Sequence, residues 1–325
     1  MPNFPPVPDS GQPDTLAGIG EVAVLARIFP RLPAAAAQLV GPGDDAAVVA
    51  APDGRFVVTT DMMIDGPDFR RAWSTPHDLG WKAAASNLAD VAAMGAVPTA
   101  LVVALAAPSD SPVSLLEGIS DGLRDACVAL APGCGVVGGD LSVSPTLTIA
   151  ITAFGDLEGR APVLRSGARP GDIVAVSGVL GASAAALAVL FAEAVDADGE
   201  PDVALAEALR LRTAAQLAPR PPIASGVVAA IAGATAMLDL SDGLAIDAGR
   251  MANASGIRID FDSALLGPDS DQALAGGEDH SLLAAFPPDS HLPVEFRPIG
   301  VCLAGAGISL DGNSYATIGW DPYRN

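Results

Sequence analysis

Gly41 to Asp61 reads GPGDDAAVVAAPDGRFVVTTD: two short apolar runs on either side of a turn, with carboxylates at both open ends. Pro52 presets φ, Asp53 can bond its own backbone and Gly54 accepts positive φ, which is the chemistry of a turn. AAVVA before it and FVVTT after it have strand composition, so the stretch predicts a hairpin. Asp45 and Asp61 stand equally far from Asp53, and an antiparallel pairing without a bulge would set them side by side. Carboxylates that close repel one another unless a cation lies between them, and a hard divalent ion is one explanation. A solvated hairpin end is the other, and this stretch alone does not choose.

The rest of the chain narrows the choice. Its 325 residues are enough for two domains with separate cores, and half of them are apolar. The 28 prolines and 35 glycines imply many turns, as in a protein of mixed sheets and helices. A formal charge of −21, with 38 acids against 17 bases and Lys82 the sole lysine, disfavours nucleic acid and anionic membrane surfaces as partners. An anionic ligand would therefore need metal ions and a few arginines. Cys127, Cys134 and Cys302 are too scattered for a disulfide framework, so a reducing cytoplasm is the expected compartment. Residues 1–15 have neither a basic region nor an apolar core and read as a disordered tail. The uncharged run Ile173 to Ala192 is interrupted by Gly178 and Gly181, so it reads as strand, turn and helix rather than a membrane span.

Along the chain, TLAGIGEVAVLARIFPRL predicts a short helix stopped by Pro30 and Pro33, and IDGPDFRRAWS a loop. Thr75, Pro76 and Asp78 form a helix start, and that helix runs to Gly95 with Asp90 on the face of Leu79, Ala83 and Ser86, and Asn87 one turn before it. A strand, TALVVALAAP, and a helix capped by Ser111 and opened by Pro112 follow. GVVGGD predicts a short strand whose end presents Asp140, with Gly138 and Gly139 allowing close approach of a ligand. TLTIAITAFGD completes an α+β domain over residues 16–157, and residues 158–325 form the second domain.

In that second part, Arg165 lies in a loop of arginine, glycine and proline that could face a crevice between the domains. The strand and glycine turn at residues 173–181 lack the GK[ST] ending of a phosphate loop. ALAEALRLRTAAQLA predicts one helix. ATAMLDLSDG is a strand ending in Asp239, Ser241 and Asp242, with the first two on one face and Asp242 at the start of the next helix. GGEDHSLLAAF repeats the pattern with Glu278 and Asp279. Acids at 44–45, 61, 90, 140 and 239–242 all follow or cap apolar elements, as a carboxylate cage for several magnesium ions would require. Such ions suit phosphate substrates.

GDDAAVV, TTDMMIDG, NLADVAAMGA, GGD, RSGARPGD, LDLSDGL and GGED occur in this order from Gly41 to Asp279. Together they resemble the thiamine-monophosphate kinase family, within the wider aminoimidazole ribonucleotide synthetase-like group. The resemblance implies a two-domain fold: an N-terminal domain of sheet and helices that dimerises and binds ATP and magnesium, and a C-terminal α/β domain. It implies transfer of phosphate from ATP to thiamine monophosphate, in line and with magnesium, in a cytoplasmic homodimer. Asp45, Thr59, Thr60, Asp61, Asp90, Asp140, Asp239 and Asp242 correspond to the metal shell. Gly139, Asp140, Arg165 and Ser241 correspond to ATP contacts, and Asp68, Glu278 and Tyr323 to the substrate side. Asp45, Asp90, Asp242 and Arg165 would carry the transfer. Asp68 stands where the family usually has histidine, and HSLL after GGED replaces a tyrosine–glutamate pair. Aminoimidazole ribonucleotide synthetase and a non-catalytic cation-binding protein are the alternatives. Neither accounts for the whole motif set: the first lacks it, and the second leaves the glycines beside the acids unexplained.

Overall fold

The computed structural model describes residues 14–40 and 47–316. The chain divides into a first unit, Met1–Leu88, Pro98–Asp156 and Ala194–Ala208, and a second, Ala89–Val97, Leu157–Glu193 and Leu209–Asn325. Of the expected tail, residues 1–13 lie outside the described residues, while Asp14 and Thr15 are bound. Thr15 Oγ1 accepts the Gly18 N–H at 3.1 Å and so caps α1 (Leu16–Ile19), and Asp14 meets Arg27 at 2.5 Å. The single helix expected here is broken at Gly20, whose φ of 77° ends α1 before α2 (Glu21–Ile28) begins.

The predicted hairpin is corrected by the structure. Its turn forms: Gly54 donates to the Ala51 carbonyl at 3.0 Å with φ at 74°. The strands on either side of it go to different partners. β1 (Gln38–Val40) pairs with β2 (Val48–Val49), and β3 (Val57–Ile64) joins a sheet made with later elements. Those elements are α3 (Pro76–Ala93), β4 (Val97–Ala107), α4 (Val113–Leu130), β5 (Gly135–Val143) and β6 (Thr148–Asp156). The sheet order is β3-β6-β4-β5, with β3 antiparallel to β6 and β4 parallel to β5. β3 has eight residues and finds a full-length partner in β6, from Val57↔Gly155 to Ile64↔Thr148, which a two-residue β2 cannot match.

One face of this sheet is helix-covered. Ile149, Ile151 and Ala153 of β6 alternate as buried residues, and Leu79, Leu88 and Ile119 of the helices are equally buried. Thr75 and Asp78 form the expected reciprocal cap of α3, with Thr75 N donating to Asp78 Oδ2 at 2.8 Å and Asp78 N to Thr75 Oγ1 at 3.2 Å. A side chain at Gly80 or Gly122 would meet the backbone of the facing helix at 2.0 Å, so these two glycines let α3 and α4 pack backbone to backbone. At the start of α4, Pro112 occupies the cap position, and no side chain caps that end; Ser111 is not the cap.

The remaining elements are β7 (Ile173–Ser177), α5 (Ala182–Glu193), α6 (Val203–Ala208), α7 (Arg210–Leu217), α8 (Ile223–Ile231), β8 (Ala236–Asp239) and α9 (Leu244–Ser255). They continue with β9 (Arg258–Phe261), α10 (Ser263–Leu266), α11 (Ser270–Ala275), β10 (Leu282–Phe286), β11 (Arg297–Leu303), β12 (Gly307–Leu310) and β13 (Asn313–Ser314). The one helix expected over ALAEALRLRTAAQLA is two, α6 and α7, with Leu209 between them. Apart from α6, these elements belong to the second unit. Its seven strands run β13-β12-β9-β11-β7-β10-β8. Val174, Val176, Leu238, Leu244, Met251, Ile259, Phe261, Leu283 and Ile299 share one core. β10 registers Leu282 against both Ser177 and Asp239. The ends of β7 and β8 and the start of β10 are therefore level, and the turns that follow or precede them gather at one end of the sheet.

Candidate functional site

At that end, backbone bonds extend the β8–β10 pairing past the strands. Leu240 N donates to Ser281 O at 2.8 Å, His280 N to Leu240 O at 2.9 Å and Glu278 N to Ser241 O at 2.8 Å. The DLSDG and GGEDHS motifs thus lie side by side, as two turns held in register by one ladder. Gly277 is required there, because a Cβ would stand 2.8 Å from Ser241 O. Glu278 and His280 take φ of 63° and 51°, a region non-glycine residues rarely occupy, and such strain concentrates at functional turns.

The acids of this end differ in their surroundings. Asp239 is buried, with its Oδ2 3.2 Å from His280 Nδ1. Arg250 of α9 lies 2.6 Å from both Asp242 and Asp247, and Asp242 N donates to Asp247 Oδ2 at 3.0 Å. Burial pushes the Asp247 pKa up to about 6, and the charges of Asp239 and Asp242 add to this while the Asp242 N–H and Arg250 oppose it. Three acids, Asp239, Asp242 and Asp247, thus share one arginine at this strand end. Asp247 and Arg250 were not singled out from the sequence; the signal was an acid and a base three apart in the helix directly after LDLSDG.

Asp279 turns away from the cluster. Its carboxylate accepts the N–H groups of Gly181 and Ser183 at 2.5 and 2.8 Å and so closes the amino end of α5. Glu278 instead meets Gln216 of α7, whose Nε2 donates to Glu278 Oε2 at 2.5 Å. Arg165 is exposed. Its loop is fixed by backbone bonds, with Met237 N donating to Leu164 O at 3.0 Å and Ser255 Oγ to Arg165 O at 2.8 Å. Asp90, half-buried near the end of α3, is assigned to this unit.

The first unit holds the other candidates. The β3–β6 register puts Thr59 and Asp61 on the helix-covered side, opposite Ala153 and Ile151, and Thr60 on the other side, opposite Thr152. Thr60 Oγ1 donates to Ile151 O at 2.9 Å. Asp61 N donates to Oδ1 of the buried Asn87 at 3.1 Å, so α3 fixes the strand at the acid. Gly139 and Asp140 lie within β5 and not at its end, and two strands separate them from Asp61. A Cβ at Gly139 would meet Val103 O at 2.0 Å, while Gly138 faces open space, so the sheet itself demands Gly139 and not Gly138. Asp68 Oδ2 accepts Ile64 N at 2.7 Å and closes the loop after β3. Asp45 and Tyr323 lie outside the described residues. Among the described residues, no three His, Cys, Asp or Glu side chains are grouped to hold a metal ion.

Residues 43–157 match the family model "AIR synthase related protein, N-terminal domain". A thiamine-monophosphate kinase of Mycobacterium tuberculosis is 42% identical over 326 aligned positions, covering 95% of this chain and 93% of that protein. The chain belongs to the thiamine-monophosphate kinase family. The crystal structure of the thiamine-monophosphate kinase of Aquifex aeolicus is similar with a TM-score of 0.71 at 33% identity, covering 82% of this chain and 90% of that one. A structure of such a kinase complexed with AMPPCP and TMP gives a TM-score of 0.71 at 33% identity, covering 85% and 90%. The two-domain aminoimidazole ribonucleotide synthetase-like fold expected from the motifs is the fold this thiamine-monophosphate kinase family member has.

Proposed function

We propose that this chain transfers a phosphate from ATP to thiamine monophosphate, giving thiamine diphosphate and ADP, by direct in-line displacement. The observation that carries the reading is the 42% identity to a thiamine-monophosphate kinase over 95% of the chain. The acceptor is itself a phosphate, whose oxygen is already anionic, so no general base is needed. The obstacle is electrostatic. Two unit charges at ~4 Å and an effective dielectric of ~20 repel by about 4 kcal/mol.

Magnesium, when bound, supplies the neutralising charge between the phosphates. The register sets Thr59 and Asp61 on one face of β3, Thr60 on the other and Asp140 two strands away, so the donors we propose, Asp45, Thr59, Thr60, Asp61, Asp90, Asp140, Asp239 and Asp242, would be divided among several ions. These are oxygen donors only, which suits a hard cation. Three carboxylates, Asp239, Asp242 and Asp247, beside the single Arg250 support a cation at the Asp239–Asp242 turn. Gly139, Asp140, Arg165 and Ser241 are proposed to contact ATP, and Asp68, Glu278 and Tyr323 the substrate. Asp45, Asp90, Asp242 and Arg165 would orient and stabilise the transferring group. The two domains we propose are residues 16–157 and 158–325. A cytoplasmic homodimer is part of the reading: the three cysteines are free and buried, and Phe56, Val58 and Met62 form an exposed apolar row on β3 and just before it.

The test is conversion of thiamine monophosphate by the purified protein with ATP and magnesium, run beside an aminoimidazole ribonucleotide synthetase substrate. ADP and thiamine diphosphate are expected in the first arm and no turnover in the second. Asp242→Asn is expected to abolish turnover with the fold retained, and full activity in that variant would remove Asp242 from the metal shell.

A further inference from the structure

We propose that Gln216 is a positioning residue that orients the Glu278 carboxylate toward thiamine monophosphate, acting as the middle of a buried relay that starts at Ser183. The inference rests on the reading of Glu278 as a substrate contact given above. Gln216 belongs to α7 and Ser183 to the first turn of α5, and neither carries a charge that would mark it as functional. Both are buried, at 6% and 1% exposure, where a polar side chain persists only if its hydrogen bonds are made. Ser183 Oγ donates to Gln216 Oε1, and because a carboxylate only accepts, the amide turns Nε2 toward Glu278 Oε2 at 2.5 Å.

The relay is fixed at both ends. Ser183 N donates to Asp279 Oδ1 at 2.8 Å, so the start of α5 is tied to the residue next to Glu278. Glu278 N donates to Ser241 O at 2.8 Å, and Glu278 holds a φ of 63°. The backbone places Glu278 beside the Ser241–Asp242 turn, and Gln216 then selects the side-chain direction. Without that bond the carboxylate loses one restraint on its direction, and a smaller share of substrate encounters would meet the competent rotamer.

The test is steady-state kinetics on full-length Gln216→Leu, Gln216→Glu, Ser183→Ala, Glu278→Gln and the double variant Gln216→Leu/Glu278→Gln, with melting temperature as the fold control. Gln216→Leu is expected to raise KM for thiamine monophosphate roughly 10-fold, with KM for ATP changed less than about 2-fold. Ser183→Ala is expected to give about a third of that effect. The double variant is expected to be no worse than Glu278→Gln alone, because the relay acts only through that carboxylate. Gln216→Glu is isosteric and keeps the inference falsifiable if the leucine variant does not fold. It sets two carboxylates against each other, so its KM defect should deepen as pH rises and ease in acid, where the pair shares a proton. A folded Gln216→Leu or Gln216→Glu with the parent KM for thiamine monophosphate, beside a Glu278→Gln that raises it, overturns the relay. A Glu278→Gln that leaves this KM unchanged removes the substrate reading of Glu278 and the relay with it.

Discussion

Arg250 lies 2.6 Å from Asp242, across the start of α9. The same guanidinium is 2.6 Å from Asp247, so one exposed base answers two acids of which the second is buried. Removing it leaves Asp242 and Asp247 facing each other, with Asp239 adding to the repulsion. Arg250→Met is therefore expected to lose about 1 kcal/mol of unfolding free energy in magnesium-free buffer, a figure kept small because the arginine is solvated. Added magnesium should reduce the loss by supplying the missing charge. Urea denaturation with and without the ion measures both, and a loss indifferent to magnesium would count against a cation at this turn.

Asp279 gives a pH dependence whose sign is fixed. Burial pushes its pKa above the ordinary 3.8, against the pull of the N–H groups of Ser183 and Gly181. The unfolded chain releases this proton at the ordinary value and the native state holds it longer, so stability falls as pH rises from there to the raised value. Asp279→Asn keeps one acceptor and removes the titration. Its deficit against the parent, about 1–2 kcal/mol in acid, should shrink as pH is raised through that window. Denaturation series from about pH 4 to about pH 7 read this directly, and a deficit that widens with pH would contradict it.

Gly138 and Gly139 are adjacent in sequence and opposite in requirement. A Cβ at Gly139 would stand 2.0 Å from the Val103 carbonyl, and one at Gly138 meets nothing within 4 Å. Gly139→Ala should destabilise by more than ~2 kcal/mol, and Gly138→Ala by less than ~1 kcal/mol. Thermal melts of the two variants decide it; equal shifts would mean that β5 does not approach β4 as closely as the structure shows.

Phe56, just before β3, and Val58 and Met62, on the face of β3 turned away from the helices, are each more than half exposed. If this row is covered by a second copy of the chain, Met62→Glu should shift the protein from dimer to monomer in sedimentation while leaving its helix content unchanged. A parent protein that sediments as a monomer would end the homodimer proposal.

Much of the fold was legible in the sequence where the information is local. The α3 cap needs only Thr75, Pro76 and Asp78, all within one turn, and the structure forms it as expected. The strand ending in Asp239 and the turn that follows were equally readable. Partner choice was not. VVTTD could have folded back on AAVVA across the Pro52–Gly54 turn, and the difference was made by β6, more than eighty residues downstream, whose register runs from Thr148 to Gly155. The Ser183–Gln216–Glu278 relay was invisible for the same reason, since it joins three segments with no common motif.

By itself, the sequence determined what chemistry is available: which acids follow strands, which glycines permit close approach, and the ordered motifs that assign the family. Hydrophobic period and turn residues act over a few neighbours, and a one-dimensional pattern carries them intact. Tertiary structure alone decided which of those groups meet. It set Asp242 against Arg250, Asp61 against Asn87 and Glu278 against Gln216. Such pairings follow from how strands register and helices pack, and the free energy of packing depends on surfaces assembled from the whole chain rather than on any stretch of it.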